Sequence, residues 1–127
     1  NENNINYVAY VFSPVSGYSS FGSYTGNGSA DGPFVYTGFR VKYLIQKKAS
    51  SGLGEWIIWD SSRKTYNSQG PFIFADSSAA EGADAEYIDF LSNGFKIRTT
   101  NTTINANGVT SIYIAFAENP FSIARAR

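Results

Sequence analysis

The chain has 127 residues with no Cys, no His and no Met, and its ten Lys and Arg balance ten Asp and Glu. That length suits one domain, and the missing His and Cys exclude zinc fingers, thiolate nucleophiles, Ser-His-Asp triads, haem ligation by His and an imidazole pH switch. With no cationic surplus to displace counterions from phosphates, no nucleic-acid partner is expected, and no apolar run approaches the roughly 20 residues of a membrane span, so no membrane insertion is expected either.

Taken in chain order, the first predicted element is a buried strand at Ile5 to Phe12, where β-branched and aromatic residues run up to Ser13 and Pro14. Tyr18, Phe21 and Tyr24, then Phe34, Tyr36 and Phe39, mark short strands, with turns at Gly26-Asn27-Gly28 and Asp31-Gly32-Pro33. Arg40 to Lys48 reads as a strand that mixes alternation with the apolar pair Leu44 and Ile45, and Ala49 to Gly54 as the loop that ends it. Two further strands are predicted at Glu55 to Asp60 and Pro71 to Ala75. Asp76 to Ala85 has alanines but no apolar stripe and reads as a loop or one helical turn. Tyr87 to Leu91 and Phe95 to Thr99 form a hairpin around Ser92-Asn93-Gly94, a signal of the Asn-Gly kind. Thr100 to Thr103 continues the β-prone run, Asn105 to Gly108 is a turn, and Thr110 to Ala117 is the last strand, stopped by Pro120.

No segment carries the helical i, i+3, i+4, i+7 pattern, so the expected fold is all-β: an antiparallel, jelly-roll-like sandwich of about nine or ten short strands with no substantial helix. Aligning Phe12 with Phe116 sets Val8 and Tyr10 opposite Ile112 and Ile114, and Ser13 opposite Ala117. Together with Asn1 in place of an initiator Met, this leads us to expect one unit of a longer tandem chain, with residues 1–14 equivalent to the closing strand of a preceding unit.

The chemical candidates are few. Asp76, Glu81, Asp84, Glu86 and Asp89 are oxygen donors of the kind calcium takes, but their spacing fits no EF-hand loop and solvated loop charges explain them better. The same carboxylates offer a hydrolase acid and base in principle, as any acidic loop does. Ser61 and Ser62 beside Arg63 and Lys64 contain a hydroxyl and a lysine base, or simply a polar turn. Trp56, Trp59, Tyr66 and Tyr87 are candidate rings for stacking on a sugar. Against that, period-2 alternation puts Trp56 and Ile58 on one face and Ile57 and Trp59 on the other, so one tryptophan belongs to the core, while the other is either covered by a neighbour or exposed as a contact. Asn27-Gly28-Ser29 and Asn101-Thr102-Thr103 match the glycosylation pattern, which a chain this rich in Asn, Ser and Thr produces by coincidence.

Four stretches together resemble a repeat domain of bacteriophage virion proteins, chiefly tail and tail-fibre proteins. They are YVAYVFSPVSGYSSFGSYTGNGSADGPFVYTGFR (Tyr7 to Arg40), EWIIWDSSR (Glu55 to Arg63), DFLSNGFKIR (Asp89 to Arg98) and IYIAFAENPF (Ile112 to Phe121). The chain departs from the usual pattern at Val11, where a cysteine is common, and at Val41, where a proline often follows GFR. The resemblance implies a non-enzymatic structural module of a tail fibre or related appendage, without cofactor or catalytic residues. It further implies self-association, as a trimer in many fibres, and a place on the virion facing the host surface. A carbohydrate-binding module that recognises host glycan is the alternative, and a glycan-cleaving domain using loop carboxylates is the third reading.

Overall fold

The computed structural model describes residues 6, 8–50 and 54–120. Within them the fold is all-β, two antiparallel sheets with one four-residue helix. The larger sheet has the order β1-β8-β3-β4-β5, from β1 (Ser19–Thr25), β3 (Val41–Lys48), β4 (Ile57–Asp60), β5 (Ile73–Phe74) and β8 (Thr110–Ala117). The smaller has the order β2-β7-β6, from β2 (Phe34–Tyr36), β6 (Ile88–Leu91) and β7 (Gly94–Ile97). Between the sheets lies the core. Leu44, Ile57, Trp59, Tyr113 and Ala115 from the large sheet meet Val35, Ile88, Phe90, Phe95 and Ile97 from the small one, and Phe95 sits edge-on to both Tyr24 and Tyr113.

Period-2 geometry explains most of this partition. In β8, Ser111, Tyr113, Ala115 and Ala117 point inward, leaving Ile112, Ile114 and Phe116 outward. The mixed pattern of β3 has a local cause, a β-bulge between Val41 and Tyr43 opposite β8. The extra residue resets the alternation, so Val41 and Leu44 both reach the core. The hairpin between β6 and β7 turns through Ser92 and Asn93, with Leu91 paired to Gly94. Gly94 is therefore the first strand residue and not a turn residue. A side chain there would strike the Val35 carbonyl of β2, so the glycine serves strand approach.

Two predicted strands are corrected. Thr100 to Thr103 does not extend the sheet; α1 (Thr102–Asn105) begins there because the Asn101 side chain accepts from the Thr103 N–H, an N-cap that competes with the ladder. The predicted strand at Ile5 to Phe12 is absent from its described part. Residues 8–12 are exposed and unladdered, while Ile5 and Tyr7 lie outside the described residues. Val15 does bridge to Ser19 as though opening a hairpin with β1. Beyond that bridge the ladder stops, and the chain leaves the edge. It crosses the outward face of the large sheet instead, with the Phe12 ring stacked 5.6 Å from Phe21.

Candidate functional site

The four candidate rings do not form a platform. Trp59 lies fully inside, 6.0 Å from Phe72, and Tyr87 packs on the same Phe72 at 5.6 Å, so the structure brings these two together as core and not as surface. Trp59 has no ring face to offer a ligand. Trp56, on the opposite side of the sheet, is half-buried beneath the Lys47 ammonium, 5.4 Å from its ring centre. Tyr66 projects from a loop, 67 % exposed, with Lys64 5.1 Å above its ring.

The carboxylates are dispersed among separate partners. Glu81 pairs with Arg63, which also holds Asp60 at 2.8 Å. Asp84 pairs with Lys64 at 2.7 Å, and Asp89 takes Arg98 at 3.1 Å and the Ser68 hydroxyl at 2.6 Å. Glu86 is exposed. Among the described residues no three acidic side chains converge on a point where a cation would sit. Asp76 accepts the Trp56 N–H at 3.1 Å and shares a shallow pocket of about 360 Å³ with Glu55, Gly54 and Thr103. Glu55 is a residue that spacing alone did not single out.

In the serine-lysine stretch the Lys64 ammonium is hydrogen-bonded to Asp84, which raises it above its usual range, while Ser61 is buried and Ser62 exposed. Arg63 is likewise held ionised, first by Glu81 and also by Asp60. Of the two glycosylation patterns, Asn27 has its carboxamide engaged: it donates to Asp31 O, and accepts from the Ser29 N–H and from Asn105. Asn101 is occupied as the cap of α1.

A further surface feature is one that no motif announced. Tyr10, Phe12, Ile45, Trp56, Ala75, Ile114 and Phe116 line an apolar groove of about 530 Å³ on the outward face of the large sheet. Phe116 is ringed by Tyr18, Phe21 and Tyr43 at 5.9, 6.2 and 6.3 Å. None of the seven lining side chains is charged, so the groove can bury apolar surface but offers almost nothing to orient a polar ligand. Its sequence signal was the unbroken apolar run of β8, since a strand with one wet face alternates instead.

A family model described as a domain of unknown function, DUF7483, matches residues 1–120. The chain belongs to the DUF7483 family. No curated protein and no solved structure matches it. The DUF7483 match includes every residue lining the groove, Tyr10 and Phe12 among them.

Proposed function

We propose that this DUF7483 domain is a non-enzymatic structural module of a phage virion appendage, a tail fibre or tail-associated protein, that supports assembly and attachment to the host surface. The resemblance of its four sequence stretches to phage tail repeats supports the setting. The observation that carries the physical part is the uncharged groove on the large sheet. A surface of that kind gains free energy by covering apolar area, at about 25 cal/mol per Å² removed from water, and so suits packing against another β surface. Its partners on this reading are further copies of itself, up to a trimer, or neighbouring virion domains. Antibodies raised against the domain and applied to virions of the phage that encodes it provide the test. Label on the tail or its fibres is the expected result; absence of label from intact virions, with the protein found only in infected-cell lysate, would overturn it.

One observation favours a second reading, contact with host glycan. Tyr66 presents an exposed ring beside Lys64 and Asp84, an apolar face next to polar groups, as sugar recognition requires. Binding on a glycan array that disappears in Tyr66→Ala would establish it, and a flat array would remove it.

A further inference from the structure

We infer that the outward face of the large sheet docks a second copy of this module placed immediately N-terminal to it, the two packed back to back through the same face, with Val8–Phe12 serving the preceding copy as its β8. This stands whether or not the module belongs to a virion.

The argument begins with β8. Its run Ile112-Tyr113-Ile114-Ala115-Phe116-Ala117 is continuously apolar, the pattern of a strand covered on both faces. The small sheet covers the inner face only. Val8–Phe12 has a sequence of the same kind but forms no strand: Val8, Tyr10, Val11 and Phe12 are 80, 82, 91 and 57 % exposed, whereas the corresponding residues of β8 are flanked by β1 and β3. Within one protomer this segment joins no ladder, although β1 is the terminal strand of its sheet.

The side chains that do touch the sheet decide the arrangement. Tyr10 and Phe12 line the groove from above, and Ile114 and Phe116, the residues they align with, line it from below. The same alternate positions of two aligned segments thus meet across one groove, which is what two like sheets packed face to face produce. The remaining space would be filled from the preceding copy by its own equivalents of Phe21, Ile45 and Trp56.

Chain length allows little else. Only Ser13 and Pro14 separate Phe12 from a closed turn in which the Tyr18 and Ser19 N–H groups both donate to Val15 O at 2.9 Å. Two extended residues span about 7 Å. A unit that ends in Val8–Phe12 is therefore held against this one, on the side where Phe12 already stacks on Phe21.

The test is a two-unit chain in which residues 1–117 run directly into residues 14–127, so that Ala117 takes the place of Ser13. Trp56→Phe in the first unit leaves Trp56 of the second as the groove reporter, Trp59 being buried in both. Acrylamide quenching of that Trp56 should fall several-fold relative to the 127-residue chain carrying its own Trp56, and small-angle scattering should show one compact particle. Unchanged quenching, or scattering from two separated beads, overturns the inference. Should the fusion fail to fold, the 127-residue chain still tests it. The unmodified protein should bind an apolar dye and Ile114→Lys should abolish that binding while leaving the fold intact; a wild-type chain that binds no dye contradicts an uncovered docking face.

Discussion

The two sheets present opposite outward faces. In β6 and β7 of the small sheet Ile88, Phe90, Phe95 and Ile97 point in, while Asp89 and Lys96 point out, each paired with an opposite charge at 3.1 and 2.7 Å, and β2 adds the exposed rings of Phe34 and Tyr36 to that outward face. The large sheet sends Phe21, Ile45, Ile112, Ile114 and Phe116 outward, and Ile58 on that side is buried yet stands apart from the central core cluster. The faces differ in continuity: on the small sheet the exposed rings of Phe34 and Tyr36 stand among ion pairs, whereas on the large sheet the apolar side chains run together into one groove. The lesson is that the large sheet's outward face belongs energetically with interiors, even though one protomer leaves it half open.

The comparison can be broken by substitution. The largest effect is expected on the inner face: Trp59→Ala should cost about 3–5 kcal/mol by creating a core cavity. Trp56→Ala, three residues away on the outward side, should cost only about 1 kcal/mol in the isolated chain. Urea unfolding followed by circular dichroism measures both, and equal losses would erase the distinction between the faces.

Next comes Asn105→Ala. Asn105 is fully buried, its amide donates to Asn27 Oδ1, Ser29 O and Thr99 O, and its oxygen accepts the Asn27 N–H. Losing these bonds strands buried partners, at a cost of about 2–3 kcal/mol, read as a shift of the urea midpoint. Tyr24 supplies a pH test of the same interior. Burial pushes its phenol well above the usual range, and it donates to Ile104 O at 2.7 Å. A raised folded-state value means that the stability is complete below the unfolded phenol's pKa of about 10 and falls above it, by up to about 1.4 kcal/mol per pH unit. Tyr24→Phe should flatten that alkaline decline. Smallest in stability is Ile114→Lys, expected to cost under about 1 kcal/mol because a lysine there can extend its ammonium to water.

Much of this was legible in local sequence. The bounds of β8 at Thr110 and Ala117 follow from its β-prone run between Asn105-Gly108 and Pro120, and the alternation of Glu55 to Asp60 placed one tryptophan inside. What escaped depends on partners distant in sequence. Val8–Phe12 has every propensity of a strand, but propensity does not provide a neighbouring edge. Gly94 looks like a turn glycine until β2 is laid beside it. The groove draws on the N-terminal segment and on residues at or beside β3, β4, β5 and β8, so no single stretch contains its pattern. The dispersal of the acidic residues was equally hidden, because Arg63, Lys64 and Arg98 approach them from other loops and strands.

The most direct test of the whole account is a cryo-electron microscopy map of the protein in its native assembly. The account predicts density of another β unit lying over Trp56, Ile114 and Phe116, with Val8–Phe12 laddered into that unit's sheet. An outward face open to solvent in the assembly, with Val8–Phe12 unpaired, would contradict it.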